Sequence, residues 1–363
     1  MILDLYHLKL EISLERKEQM RYDRVRQELL TNQKTWVVTG VAGFIGSNLA
    51  EELLKLNQKV VGLDNFSTGH KYNLEHIKNS VSKDQWANFA FTKGDITDYK
   101  TCTLITKNVD IVLHQAALGS VPRSIDNPIN TNASNVSGFL NMLTASKDNG
   151  VKRFVYASSS SVYGDSKELP KVESKTGSLL SPYAVTKYVN ELYMGVFYKC
   201  YGFESIGLRY FNVFGKRQDP NGAYAAVMPK WISQMLSSED VYINGDGQTS
   251  RDFTYIDNVV QANILAGTTT NPDAFAKAYN VAAGGRETLN NLFRAIKNEL
   301  EAKLQNLKIK DAIYRDFRAG DIRHSNANID SAKELLGYEP THTLEQGLKE
   351  SIEWYINDLK ASY

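Results

Sequence analysis

"KTWVVTGVAGFIGSNLAEELLKLNQKVVGLDN", residues 34–65, decides the fold. A short β-branched run ends in Gly40, two more glycines follow, and "SNLAEELLKLNQ" continues with helical spacing of its apolar residues. A second apolar run, "KVVGLD" at 59–64, comes next. Strand, glycine loop, helix, strand is the order of a parallel βαβ unit. Working outward, "FAFTKGD" (89–95), "DIVLHQAA" (110–117), "KRFVYASS" (152–159) and "FESIGLRYFN" (203–212) are further apolar runs with few breaks. Such runs suit strands covered on both faces, so the expectation is an α/β fold with a doubly wound parallel sheet.

The texture changes near residue 213. "GKRQDPNGAYAAVMPKW" is turn-rich, "EDVYINGDGQTSRDFTYIDN" reads as short strands and loops, and helical patterns follow near 286–304 and 331–362. The expected division is a helical extension over 1–33, a nucleotide-binding domain over 34–212, and a smaller α/β lobe over 213–363. The "AYNVA" strand (278–282) of that lobe is a candidate to rejoin the main sheet. With no repeats or low-complexity linkers, the two lobes should be tightly joined.

The formal net charge is +1 over 363 residues, from 42 basic and 41 acidic side chains. That balance gives no reason to expect nucleic acid or an acidic membrane as partner, so an anionic ligand must be held by local arrangement. The two cysteines, Cys102 and Cys200, form no CxxC and fit a reduced compartment without structural zinc. The start lacks the cationic-then-apolar order of a secretion signal, and no stretch approaches the roughly 20 apolar residues of a membrane span. The expectation is a cytoplasmic protein with no metal site.

Gly40, Gly43 and Gly46 lie between a strand and a helix, where backbone N–H groups can approach a pyrophosphate and the helix N-terminus favours its charge. Asp64, 24 residues beyond Gly40, ends the second strand. Its carboxylate can bind adenosine ribose hydroxyls and would repel a 2′-phosphate, which favours NAD over NADP; the competing reading is a turn cap. Asp95 in "KGDI" could meet the adenine or cap its own turn. "SPYAVTK" (181–187) begins with a good N-cap and first-turn proline, so Tyr183 and Lys187 share a helical face. An ammonium beside a phenol should lower the tyrosine pKa, preparing it to take a proton from an alcohol while a nicotinamide takes the hydride. By chance alone, a surface Tyr and Lys can share a helix too.

Together these segments resemble the extended short-chain dehydrogenase/reductase family, with its Rossmann fold, from residue 34 onward. TGxxGxxG stands at 39–46, an acidic strand end at Asp64, an asparagine at Asn135 in "SNVSG", Tyr183-xxx-Lys187, and a serine, Ser159, four positions before the tyrosine of "VYG". The resemblance implies a cofactor site of Gly40, Gly43, Phe44, Ile45, Gly46, Asp64, Asn65, Asp95, Ile96, Gln115, Ala116, Ala117, Asn135, Tyr183, Lys187 and Tyr210. It gives Ser159 a hydrogen bond to the reacting hydroxyl and places Ser160 and Ser161 in the sugar pocket, where a solvated serine loop is the plain alternative.

Dehydratases and decarboxylases of that family carry acidic residues in the strand-end motif occupied here by Ser160 and Ser161, and neither serine can act as their general acid. What remains is reversible oxidation at one carbon, hence 4-epimerisation. "RYFNVFG" with Asn212, "SRDF" with Arg251 and "FRAGD" with Arg318 and Asp321 look like UDP-binding elements, with Lys230, Tyr242 and Asn244 as weaker candidates. In "GDIRHSNANID", Ser325 stands where galactose-only epimerases carry a tyrosine, which leaves room for an acetamido group. Gly119 replaces their lysine, and "HQAALGSVPRS", with Ser120 and Arg123, is similar to epimerases of bacterial surface-polysaccharide synthesis that act on UDP-N-acetylhexosamines. The implied activity is interconversion of UDP-GlcNAc and UDP-GalNAc by a homodimer. The rivals are a 4-epimerase of the corresponding uronic acids, with Arg123 as a possible cation for the carboxylate, and a non-catalytic NAD-binding scaffold.

Overall fold

The computed structural model describes residues 21–221, 225–304, 306–317 and 323–361. Seven parallel strands form the central sheet: β1 (Thr35–Thr39), β2 (Lys59–Asp64), β3 (Phe89–Lys93), β4 (Ile111–His114), β5 (Arg153–Ser159), β6 (Ser205–Tyr210) and β7 (Lys277–Val281). Their spatial order is β7-β6-β5-β4-β1-β2-β3. The chain starts at β1 in the middle, runs outward to β3, and returns across β1 to build β4 through β7. The reversal between β1 and β4 is the switch point at which sheets of this kind leave a crevice above their strand ends.

Alternation along the buried strands sorts side chains into two layers. Trp36 and Val38 of β1, Ile111 and Leu113 of β4 and Val155 of β5 join one core with Leu49, Leu53 and Leu54 of helix α1 (Phe44–Lys55). Val37, Val112, Phe154 and Tyr156 face the other way, onto Phe139 and Met142 of α2 (Phe139–Asp148) and Met194 and Phe197 of α3 (Pro182–Tyr201). The first layer also contains α4 (Ile256–Thr268), almost wholly buried. Of the N-terminal extension, residues 21–31 are helical and pack on α1: Arg26 pairs with Glu52 at 3.0 Å, and Gln58 donates to the Leu29 carbonyl at 2.6 Å. Residues 1–20 lie outside the described residues.

The segment expected to rejoin the sheet does so, as β7 beside β6. Three readings need correction. The turn-rich stretch after residue 213 contains a helix, Val227–Leu236, with Pro229 in its first turn, where a missing N–H costs nothing. The loop-like stretch ending at 258 runs into α4. The single helical pattern at 331–362 is two helices, Asp330–Leu336 and Leu344–Ala361, divided at Gly337, which closes the first in the left-handed region (φ 72°), and at Pro340.

Candidate active site

The glycine loop joins β1 to α1. Gly40 adopts φ +67°, and a Cβ on Gly46 would lie 2.1 Å from the Gly40 carbonyl oxygen, so the tight approach of helix to strand needs glycine at both positions. Gly43 is the N-cap of α1, and no side chain caps it. The first amides of α1 therefore remain available to an anion.

Around this loop lies a cavity of ≈ 300 Å³. Gly40, Gly43, Phe44, Ile45 and Gly46 line it with Asp64 and Asn65 after β2, Asp95 and Ile96 after β3, and Gln115, Ala116 and Ala117 after β4. Ser67, Thr68 and Ser134 also line it; no motif drew attention to them. Asp64 is buried. Its Oδ2 accepts from the Ala42 N–H at 2.9 Å and its Oδ1 from the Phe66 N–H at 2.8 Å, so it secures both the glycine loop and its own turn. Burial raises its pKa, and the backbone N–H bonds work against that rise. Asp95 has the opposite balance: partial burial opposes ionisation, but the Thr97 N–H and hydroxyl and the Asn65 amide hold its carboxyl low.

Three other expected cofactor residues stand behind this lining. Asn135, in the π-helical segment Ala133–Gly138, accepts from the Leu118 N–H at 2.7 Å and donates to the Leu118 carbonyl at 3.1 Å and the Thr186 hydroxyl at 3.2 Å. It fixes the β4 loop against α3. Tyr210 donates to Gln115 Oε1 at 3.0 Å, and Lys187 donates to the Ala157 carbonyl at 2.7 Å.

A second cavity, of ≈ 730 Å³, opens beside the first. The two adjoin at Gly119, which lines one, and Ser120, which lines the other. A Cβ on Gly119 would meet nothing within 4 Å, so this doorway has no side chain in it. Ser120 caps the helix Val121–Asp126 from φ +99°, a conformation a serine seldom takes. Ser159, Ser160, Ser161, Tyr183, Asn212, Arg251 and Ser325 all line the second cavity.

The four consecutive serines divide their work. Ser158 is buried and donates to Glu191 at 2.6 Å. Ser159 accepts from the Ser161 N–H at 3.1 Å and stands close enough to the Tyr183 phenol to lower its pKa. Ser160 lines the wall. The Ser161 hydroxyl is buried without a partner, which a solvated loop does not produce. Ser181 accepts from the Ala184 N–H at 3.1 Å, and Pro182 fills the first turn, so α3 begins where its motif predicts. The Lys187 Nζ sits 5.9 Å from the centre of the Tyr183 ring.

The electrostatics differ from expectation. Burial raises the Tyr183 pKa, and Ser159 is what pulls it back. Burial also pushes Lys187 down to about 8. Desolvation penalises both charged forms, and the ammonium is spent on the Ala157 carbonyl, so lysine proximity alone does not yield a low-pKa phenol.

Some expected residues stay apart. Arg123 lies on the Val121–Asp126 helix and does not line the cavity. Lys230 is exposed on the Val227–Leu236 helix. Tyr242 and Asn244 belong to a short strand paired with Ile313–Arg315, where the Arg315 guanidinium stacks 3.3 Å from the Tyr242 ring centre. Arg318 and Asp321 lie outside the described residues. Lys171 and Tyr163 do line the second cavity, although neither was expected there. Lys171 sits in "ELPKVE", which has no periodicity and belongs to no motif.

Comparison with known proteins agrees with this geometry. The family described as "NAD dependent epimerase/dehydratase family" matches residues 36–282. The chain is similar to the structure of a UDP-N-acetylglucosamine 4-epimerase from Methanobrevibacter ruminantium in complex with UDP-N-acetylmuramic acid, at 38% identity and TM-score 0.81, covering 90% of this chain and 99% of that one. It is similar to a Thermotoga maritima UDP-glucose 4-epimerase with UDP-glucose at 34% identity and TM-score 0.81, with the same coverage of 90% and 99%. A UDP-glucuronate 4-epimerase of Thermodesulfobacterium geofontis is 34% identical over 88% of this chain and 95% of its own. The glycine cradle, the uncapped helix start and the buried Asp64 suit a dinucleotide. The chain belongs to the NAD dependent epimerase/dehydratase family, and NAD is its cofactor.

Proposed function

We propose that this protein is a UDP-sugar 4-epimerase whose principal reaction interconverts UDP-GlcNAc and UDP-GalNAc through a transient 4-keto sugar, for surface-polysaccharide precursors. The observation that carries this reading is the Ser159–Tyr183 pair on the wall of a roomy cavity that adjoins the dinucleotide cradle and also contains Arg251 and Ser325. When bound, NAD would supply the hydride acceptor for C4, and its positive charge would favour the phenolate that burial disfavours. Tyr183 takes the 4-OH proton and later returns it, with Ser159 bonding the same oxygen. Lys187, anchored on Ala157, holds charge and position behind the phenol. Ser160 and Ser161 line the sugar pocket, and neither can protonate a leaving water, which favours epimerisation over dehydration. Arg251 and Asn212 hold the UDP end, so the 4-keto ring can turn and accept hydride on its other face. Residues 34–212 would carry the cofactor and the lobe from 213 the UDP handle.

Support also comes from the solved relative named as a UDP-N-acetylglucosamine 4-epimerase. Incubation of the purified protein with UDP-GlcNAc, followed by separation of the products, should give a mixture with UDP-GalNAc. Tyr183→Phe should abolish the conversion while the NAD released on denaturation stays stoichiometric. No UDP-GalNAc from the wild type would refute the assignment.

A further inference from the structure

Lys171 is a buried cation that the reaction above does not use. It is 3% exposed and lines the second cavity together with Ser160, Ser161 and Ser325. Its Nζ donates to one acceptor, the Ser166 carbonyl, and among the described residues no carboxylate lies within ion-pair distance of it. Glu168, its nearest acidic influence, pairs instead with Lys175 at 3.1 Å. Two of the three ammonium N–H donors thus have no partner among the described residues. Burial pushes this ammonium below its ordinary pKa, as expected of a charge lacking a counter-ion.

The residue is also held in place. Its N–H donates to the Asn326 carbonyl at 2.8 Å, and its own carbonyl accepts from the Asn328 N–H and the Asn280 amide, both at 2.9 Å. Lys171 pairs through this bridge with Ala327, two residues beyond Ser325. One wall of the cavity therefore carries Ser325 and Lys171 on backbone segments tied to each other. The other charged lining residues are Arg251 and Asp126, and Asp126 is exposed. A neutral hexosamine needs hydroxyl and amide partners, which the serines provide; an ammonium without a counter-ion at this wall suits an anionic substituent on the sugar.

We propose that Lys171 is the specificity residue that lets this pocket bind and epimerise UDP-N-acetylhexosamines bearing a carboxylate. The proposal rests on reading the cavity as the UDP-sugar site. The chemistry is that of the neutral sugar: Tyr183 takes and returns the C4 hydroxyl proton, bound NAD would take and return the C4 hydride, and only configuration changes. The carboxylate takes no covalent part. It can stand at C6, as in a uronic acid, or on an ether at C3, as in a muramic acid.

The test compares the NAD-loaded wild type with Lys171→Met and Lys171→Arg on UDP-GlcNAc, its C6 uronate and UDP-N-acetylmuramic acid. In the wild type, at least one acid should bind no more weakly than UDP-GlcNAc. Lys171→Met should lower the ratio of acid to neutral kcat/KM, or of affinities where turnover is absent, by at least about tenfold, the scale of one lost charge-assisted hydrogen bond. Lys171→Arg should recover part of that ratio. Which acid responds assigns the carboxylate to C6 or C3. An unchanged ratio, an equal loss with UDP alone (a lysine on the diphosphate), or a wild type that epimerises UDP-GlcNAc but binds neither acid overturns the proposal and leaves the proposed function intact. If Lys171→Met does not fold, the wild-type affinities and Lys171→Arg still decide. A wild type inactive on every sugar sinks both readings.

Discussion

Lys187 shows at single-residue scale how the site trades stability for function. Folding takes its ammonium out of water and lowers its pKa from 10.5 to about 8. Between those values the unfolded chain binds more protons than the folded one, so this residue makes stability rise with pH across that window. Below pH 8 the full penalty, about 3 kcal/mol, is present. The expected outcome is that wild-type stability, measured against Lys187→Met by urea titration, improves by about 2 kcal/mol between pH 7 and 9.5. The variant's turnover should fall by about 10²-fold or more. Ser325 is the second decisive position: Ser325→Tyr should suppress turnover of N-acetylated sugars at least about tenfold relative to plain hexoses, and equal turnover of both would refute the steric role. What could be read from sequence at this scale was geometry. Helical spacing places Tyr183 over Lys187, and the strand end places Ser159. The direction of the Tyr183 shift could not be read, because it depends on how tightly β5 and α3 enclose the phenol. Lys171 escaped notice for a related reason: its neighbours come from residues 280 and 325–328.

At the scale of elements, strands were legible as apolar runs, including the edge strand β3, which is half-buried to exposed rather than covered on both faces as expected, and helices were legible where one face is polar. Helix α4 failed that test: almost all of "IDNVVQANILAGT" is buried, so it lacks the polar stripe that marks a helix in sequence. Helix α3 has the opposite feature. Val185, Leu192 and Val196 follow at spacings of seven and four on its outer side and are exposed, Leu192 by 54%. The short helices Val121–Asp126 and Pro128–Asn132 pack against α3 and add Ile125 and Ile129, the latter 82% exposed. A contiguous apolar face of this kind is what a second copy would cover. We therefore expect the homodimer implied by family resemblance to form through α3. Leu192→Glu combined with Val196→Glu should convert a sedimenting dimer into a monomer that still carries NAD. A monomeric wild type at micromolar concentration would exclude the pairing.

At the scale of the whole molecule, one buried carboxylate helps to fasten the cofactor half to the second half. Glu51 lies on α1, the helix that begins at the glycine loop. Its Oε1 pairs with Lys55 at 2.6 Å and with Lys216 at 2.9 Å, and its Oε2 pairs with Arg217. Arg217 also reaches the Ser47 carbonyl at 3.3 Å from a left-handed backbone (φ +68°), and Tyr355 of the last helix donates to the neighbouring Gln218 carbonyl at 2.5 Å. No pattern in the sequence joins residues 51, 217 and 355; only the packed chain does. Burial works against ionisation of Glu51, yet Arg217 and Lys216 hold its carboxyl at about 2, below the ordinary 4.5. A carboxyl depressed in this way stabilises the fold above pH 4.5, and that contribution is lost as pH falls towards 2. Glu51→Gln leaves Arg217 buried without its counter-ion and should cost about 3 kcal/mol at neutral pH. Because the variant has no such proton to bind, its deficit relative to wild type should shrink by about 2 kcal/mol on acidification to pH 3. Urea midpoints of the two proteins at pH 6 and pH 3 measure this directly, and a deficit that stays constant with pH would mean that Glu51 is not held ionised between the halves.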